Sequence, residues 1–173
     1  MVKVYDDVIP SGTCENLIKI FESDSHHHEF VNHDHKPCFH QLNLNIHHPH
    51  LVASLVNLTK VAYDKYKKDL KNPFMPKWKF LEEFRLKRYN TSGEERFDEH
   101  VDVDNYNTAK RAVAFIFYLN DNDGETQFTM SGERVKPECG RVTVFPPTWE
   151  YPHAGLPPTD NTKYILSTYI HYG

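Results

Sequence analysis

The sequence predicts an α+β fold, on three observations. Two segments of the first half carry apolar residues at helical spacing, the stretch after Trp78 turns to short strand-like runs, and Asn, Asp, Gly and Pro clusters separate those runs at short intervals. Helices first and strands later differ from the regular alternation of an α/β chain. The β part is long enough for two facing sheets, so the expectation is a jelly roll (a double-stranded β-helix) with N-terminal helices packed on the outer face of one sheet. A chain of 173 residues fits one domain, expected over 1–173, with 1–77 as helical support and loop and 78–173 as the jelly-roll core.

Val2 to Tyr5 alternates as a short strand. Pro10 to Thr13 reads as a helix start with Ser11 or Thr13 as N-cap, and Cys14, Leu17, Ile18 and Phe21 follow at helical spacing. The segment from His26 to His50 is polar and histidine-rich, but Phe39 to Ile46 alternates and predicts a strand with one buried face. Pro49 suits the first turn of a second helix, which carries Leu51, Leu55, Leu58, Ala62 and Tyr66 on one stripe and ends near Leu70. Its opposite face holds Lys60, Lys65, Lys67 and Lys68, a solvated surface. The predicted strands are then Phe80 to Tyr89, Ala112 to Leu119, Glu125 to Phe128, Arg141 to Phe145 and Lys163 to Tyr172.

Composition narrows the function classes. Lys plus Arg total 20 against 24 Asp plus Glu, a formal net charge of −4, which speaks against a nucleic-acid partner held by a general positive field. Cys14, Cys38 and Cys139 are far apart and odd in number, which fits reduced thiols better than a disulfide framework. The N-terminal residues lack a basic start followed by an apolar stretch, and the longest apolar run, Ala112 to Leu119, is far too short to span a bilayer. The expectation is a soluble cytoplasmic protein with no membrane partner; the oligomeric state is left open.

The residues with chemistry begin at His100-Val101-Asp102. Alternate strand residues point to one side, so His100 and Asp102 can converge, and an imidazole with a carboxylate suits a divalent transition metal. His153 follows in Tyr-Pro-His-Ala-Gly; two histidines and a carboxylate form the facial triad of non-haem Fe(II) oxygenases, with positions left open for other ligands. H-x-D alone is a weak signal in a chain with 12 histidines, and an exposed loop pair is the bland reading. Lys163 opens the last strand. A cation pointing into an apolar barrel is costly unless it meets an anion, and a dicarboxylate chelating the metal at its near end would supply one; a strand-edge lysine in water is the alternative. The rival metal site is the run of His26, His27, His28, His33, His35 and His40, which lacks fixed ligand spacing and reads as a solvated loop. Trp78 and Trp149 read as core or rim residues, and Cys139 as a turn residue beside Gly140.

Here the residues reach a family. Tyr89 to Gly93 followed by Phe97-Asp-Glu-His100-Val-Asp102 resembles the Y-x-x-G-x-x-Y/F-x-x-H-x-D run of prolyl 4-hydroxylases, and Arg111 to Asn120 resembles their next strand, ending in Y-L. Gly124-Glu-Thr126 resembles their G-E-T motif, Gly140 to Phe145 with His153-Ala-Gly155 their G-x-x-x-x-F to H-A-G run, and Lys163 to His171 their C-terminal strand. The resemblance covers about Phe80 to the C-terminus. It departs in a longer Tyr89–His100 loop and in Tyr169, which stands where these enzymes usually carry Trp.

The resemblance implies an Fe(II)- and 2-oxoglutarate-dependent dioxygenase using O2, with ascorbate as a possible reductant. It implies that His100, Asp102 and His153 bind iron and do the catalysis, that Lys163 binds the distal carboxylate of 2-oxoglutarate, that Tyr89, Tyr118 and Thr126 line the cosubstrate pocket, and that Arg111 helps hold substrate. A protein or peptide substrate hydroxylated at proline is the first expectation. The alternatives are the same chemistry on a free amino acid or other non-prolyl substrate, a nucleic-acid demethylase of the same fold, and a metal-binding jelly-roll module without turnover. The demethylase is disfavoured because Lys163 stands where paired arginines are expected. For Arg111 the bland reading is a surface arginine paired with a neighbour of Asp102 such as Asp104.

Overall fold

Period-two burial decides the architecture. In the strand Arg111–Tyr118, Val113, Phe115 and Phe117 face one way and Ala114, Ile116 and Tyr118 the other, and nearly all are buried, so this strand must be covered on both faces. The computed structural model describes residues 1–34 and 37–173, so His35 lies outside the described residues. The elements are β1 (Lys3–Tyr5), α1 (Ser11–Ser23), β2 (Glu29–Asn32), β3 (Cys38–Asn43), the one-turn α2 (Leu44–His47), α3 (Val52–Leu70), β4 (Phe80–Leu81), β5 (Arg85–Tyr89), β6 (Phe97–His100), β7 (Arg111–Tyr118), β8 (Thr126–Phe128), β9 (Arg134–Val135), β10 (Val142–Phe145), β11 (His153–Gly155) and β12 (Lys163–His171), with single 3-10 turns at Ser25–His27 and Pro49–Leu51.

The strands form two antiparallel sheets. The major sheet runs β1-β10-β7-β12-β5-β3-β2, with β4 also paired to β12; the minor sheet runs β6-β11-β8-β9. The inner faces enclose Phe39, Tyr89, Ala114, Tyr118, Phe128, Val135, Phe145 and Ile165. The outer face of the major sheet offers Leu86, Phe115, Phe117, Val144 and Leu166 to Cys14, Leu17 and Phe21 of α1 and to Leu55, Ala62, Tyr63 and Tyr66 of α3. This is the expected jelly roll with helices on one sheet. Full burial of each such side chain contributes roughly 1.5–3 kcal/mol.

Several boundaries differ from the sequence reading. The strand expected to reach Ile46 stops at Asn43, whose side chain accepts bonds from the Asn45 (3.0 Å) and Ile46 (3.3 Å) amides and starts α2; a local side-chain cap outcompetes the alternation. Neither Ser11 nor Thr13 caps α1. The helix begins at Ser11 behind Pro10 without a side-chain cap, and the Cys14 amide donates to the Pro10 carbonyl at 3.1 Å. Phe80 to Tyr89 divides into β4 and β5, because Thr168 Oγ1 donates to the Glu82 carbonyl at 2.6 Å and the Leu44 amide to the Phe84 carbonyl at 3.1 Å, which bends the chain between them. The N-terminal half is more than support: β1, β2 and β3 all join the major sheet.

Among the described residues of the histidine-rich stretch, His26, His27 and His33 are exposed, but the backbone forms a 3-10 turn, β2 and β3 and several rings have partners. His28 stacks on Phe21 (centroids 3.9 Å apart) and bonds its carbonyl, while His27 and His48 both hold Asp24, at 2.6 and 2.7 Å. Trp78 packs against Tyr63, and Trp149 is exposed. Among the described residues no helix is long and apolar enough to cross a membrane.

The glycine that opens the Gly140 to Phe145 motif has a steric role. Gly140 adopts φ +83°, its carbonyl accepts from the Val8 and Ile9 amides, and an added Cβ would meet the Ile9 carbonyl oxygen at 2.5 Å. Gly140→Ala combines a left-handed backbone with a clash against main chain, so it should cost at least about 2 kcal/mol. Urea denaturation should show a lower midpoint at unchanged slope.

Candidate active site

The inward faces of β12 and β5 meet the minor sheet around one narrow cleft. On β12 the alternation turns Lys163, Ile165, Ser167 and Tyr169 inward, and the antiparallel register sets Lys163 against Tyr89 and Ile165 against Lys87. β6 and β11 pair His100 directly with His153.

At one end three side chains converge. His100 Nε2 lies 3.6 Å from Asp102 Oδ1, His153 Nε2 lies 3.6 Å from Asp102 Oδ2, and among the described residues this is the one His/Cys/Asp/Glu group whose ligand atoms all lie within 4.8 Å of one another. Asp102 does not sit on the strand of His100, as the sequence reading supposed: β6 ends at His100 and Asp102 follows at a bend. There the Val103 amide donates to the Pro147 carbonyl at 3.0 Å and Arg111 Nη1 to the Asp102 carbonyl at 2.9 Å. Each imidazole is held through its other nitrogen, His100 Nδ1 on the Asp98 carbonyl (2.8 Å) and His153 Nδ1 on the Tyr151 carbonyl (3.0 Å). That bonding turns each Nε2 inward, the orientation in which it can serve a metal as ligand. Phe97 stacks on His100 at 3.5 Å, and Phe145 meets the His153 ring edge-on.

Burial opposes ionisation of Asp102, yet His100, His153 and the Tyr169 hydroxyl outweigh it and hold the carboxyl at about 2. Burial also lowers His153, so its imidazole favours the neutral form that ligates metals. Tyr169 donates to Asp102 Oδ1 at 2.8 Å. Tyr169, the departure from the family's Trp, therefore fastens the carboxylate, and the Arg111 guanidinium lies over its ring at 4.1 Å.

At the other end Lys163 is 1% exposed. Its ammonium lies 5.2 Å from the Tyr89 ring, no carboxylate offsets its burial, and desolvation brings it down to about 7. Two glycines leave it room. A Cβ on Gly155 would stand 3.7 Å from its Nζ, and one on Gly124 would stand 3.1 Å from its Cδ. A buried cation beside open space fits a ligand carboxylate, and the three convergent donors fit a divalent metal.

Of the other residues singled out from sequence, Tyr89 and Thr126 line this cleft. Tyr118 stands behind Thr126, donating to its Oγ1 at 2.7 Å and accepting from Thr143 at 3.2 Å. Arg111 lines an adjoining outer cleft. It pairs with Glu82 through Nε (2.9 Å) and Nη2 (2.6 Å), not with Asp104, and with its bond to the Asp102 carbonyl three of its five N–H groups are committed. Glu82, which also holds His171 at 2.8 Å, and Lys87 escaped the sequence reading. For Lys87 the signal was present: it is two residues before Tyr89 on one strand, hence on the same face.

Residues 84–171, just over half of the chain, match the 2OG-Fe(II) oxygenase superfamily. No curated protein matches the sequence significantly. Among solved structures, a viral collagen prolyl hydroxylase from Paramecium Bursaria Chlorella virus-1 in its 2OG complex superposes with a TM-score of 0.77 at 18% identity, over 99% of this chain and 96% of that one. A Pseudomonas putida prolyl-4-hydroxylase gives 0.78 at 15% identity, over 99% and 92%. A Trichoplax adhaerens prolyl hydroxylase, in complex with a hypoxia inducible factor oxygen degradation domain peptide fragment, gives 0.78 at 13% identity, over 98% and 83%. At these identities the likeness establishes the fold, and the family match carries the chemistry: the chain belongs to the 2OG-Fe(II) oxygenase superfamily and is a 2-oxoglutarate- and Fe(II)-dependent dioxygenase.

Proposed function

We propose that His100, Asp102 and His153 hold the iron, that Lys163 binds the distal carboxylate of 2-oxoglutarate, and that the substrate is a peptidyl proline. The observation that carries the reading is the pairing, in one cleft, of three convergent ligand atoms with a buried ammonium that has no carboxylate partner among the described residues. When bound, Fe(II), 2-oxoglutarate and O2 supply the oxidant that hydroxylates a substrate C–H while 2-oxoglutarate is converted to succinate and carbon dioxide.

The protein's own part is placement. Two imidazoles and one carboxylate would hold the metal and leave positions open for other ligands. Asp102 is ionised at any physiological pH, so no proton need leave before it ligates. Tyr169 and Arg111 fix that carboxylate from opposite ends of the residue, through Oδ1 and the backbone carbonyl. Arg111 is thus a positioning residue first, with two N–H groups left for carbonyls of a bound peptide. Tyr89 and Thr126 bound the cosubstrate end, and Tyr118 orients the Thr126 hydroxyl. Ile116 and Ile165 keep the middle of the cleft dry.

Support for a prolyl peptide comes from the fold shared with three prolyl hydroxylases, one of them solved with a peptide, and from the open outer cleft beside Asp102 and Arg111. A proline-containing segment is already extended, which lowers the cost of ordering it. Ascorbate enters the proposal as a reductant that keeps the metal ferrous. The free cysteines, with Cys14 and Cys139 in side-chain contact yet not joined, support a reducing, cytoplasmic setting.

Asp102→Ala and His153→Ala should each abolish succinate release and the one-equivalent binding of Fe(II) while retaining a cooperative unfolding transition. Full turnover by Asp102→Ala would remove the iron assignment. Tyr169→Phe should raise the Asp102 pKa, read by carboxyl NMR on the metal-free protein, and weaken divalent-metal affinity about tenfold, the usual size of such an effect. Proline peptides and free amino acids assayed side by side for a gain of one oxygen test the substrate; turnover of free amino acids alone would reject a peptidyl proline.

Lys163 makes a pH-dependent prediction. Its ammonium ionises at about 7 when the cleft is empty, and a bound carboxylate must raise that value. The complex then binds more protons than the free protein above pH 7, so 2-oxoglutarate affinity falls as pH rises through that range. Calorimetry in buffers of different ionisation enthalpy should record proton uptake at pH 8. Lys163→Met should remove the uptake and weaken binding by about 2–5 kcal/mol; undiminished uptake in that variant would place the titrating group elsewhere.

A further inference from the structure

The charges that face the two joined clefts nearly all have partners. Arg85 pairs with Glu83 at 2.7 Å, Arg111 with Glu82 at 2.6 Å, and Asp102 stands between His100 and His153. Lys163 lacks one but is matched by the cosubstrate carboxylate in the reading given above, which leaves Lys87 as the exception. Its side chain lines the inner and the outer cleft alike, flanked in both by Asp102, Ser167 and Tyr169. Among the described residues no carboxylate forms an ion pair with it, and its ammonium rests 5.0 Å from the Phe39 ring. Burial lowers it to about 8, with Asp102 opposing that shift from a distance, so it is still mainly protonated at neutral pH.

A charge balance, which rests on the reading of the site given above, says what Lys87 is for. A divalent metal, the Asp102 carboxylate, the 2-oxoglutarate dianion and the Lys163 ammonium sum to zero. Arg85 with Glu83 and Arg111 with Glu82 also sum to zero. Asp104, the remaining carboxylate of the outer cleft, is exposed and bound by Asn105 and Thr108, which leaves Lys87 as the positive charge without a counterion at the junction where the inner cleft opens to the outer one, where a substrate must enter. A buried cation is stabilised by an anion brought to it. One surplus charge matches a carboxylate; a phosphate monoester, near −2, would overshoot. We propose that Lys87 is a specificity-determining residue that pairs with a carboxylate of the substrate close to the hydroxylated carbon, an Asp or Glu side chain in a peptide or the terminal carboxylate of an amino acid.

The test uses the iron-loaded protein and matched substrate pairs. The probes are peptides with Glu or Gln on either side of each candidate residue, proline among them, and free amino acids against their amides. Oxygen gain is read at every residue by mass spectrometry. Wild type should favour the carboxylate member roughly tenfold in kcat/KM, mostly through KM, as expected for a partly desolvated charge pair. Lys87→Met keeps the aliphatic stem on Phe39 and should erase the preference; Lys87→Arg should retain it. The affinity for 2-oxoglutarate, measured anaerobically, should change less than twofold in both variants.

Equal turnover of both members, a preference that survives in Lys87→Met, or turnover of neither member of any pair would overturn the proposal. So would weakened 2-oxoglutarate binding in Lys87→Met with the preference intact, which would assign Lys87 to the cosubstrate. Acidic preference with oxygen on a residue other than proline would uphold this proposal and reject the prolyl reading. Oxygen on proline without acidic preference would do the reverse.

Discussion

The cost of holding Asp102 and Lys163 inside a sandwich of two sheets governs how the rest of this protein is built. An isolated charge in such an interior is unfavourable by several kcal/mol even after relaxation. The two ends of the cleft meet that cost differently. Asp102 is surrounded by two imidazoles and a phenol and needs nothing further to stay ionised. Lys163 has only an aromatic face and the space above two glycines, and is left at about 7. The first end is organised in advance for a cation, and the second is held short of an anion. The same apolar walls that make the charges costly also exclude water and strengthen every contact a ligand makes between them.

Support for this arrangement comes from outside the cleft. Glu82 sits at the bend between β4 and β5 and collects Arg111, His171 and, through its carbonyl, Thr168. Arg111 passes that rigidity to the Asp102 backbone and to the Tyr169 ring. A network of paired ions with its hydrogen bonds made fixes geometry better than it adds stability, and here it lies beside Asp102, the one member of the convergent triad that is not on a strand.

Much of this was legible in the sequence. The long strands of the major sheet were visible because their alternation or apolar run is decisive, as in β7 and β12, and the convergence of His100, Asp102 and His153 followed from residue type and motif order. What escaped had physical causes. β9 and β11 are two and three residues long, too short for a period to register, and exist because neighbours supply their partners. The end of β3 depended on one asparagine side chain. The ion pair of Arg111 with Glu82 joins residues 29 apart, and no local pattern announces it. Lys87 was readable from alternation alone, yet a lysine two places from a tyrosine draws no notice until the opposite wall is seen to gather His100, Asp102 and His153.

The position of β12 has a consequence for how the chain folds. This strand lies between β5 and β7 and brings both Lys163 and Tyr169, so neither neighbour has its inner partner until residues 163–171 have been synthesised. Up to then β7, with the apolar run from Ala112 to Tyr118, presents a bare row of amides and carbonyls along one edge, which is the surface through which strands aggregate. Pairings this distant in sequence also form slowly, because loop closure must precede them. The nascent chain therefore passes through an interval in which its most adhesive edge is open, and insertion of a single strand closes that edge and completes both ends of the cleft in one event.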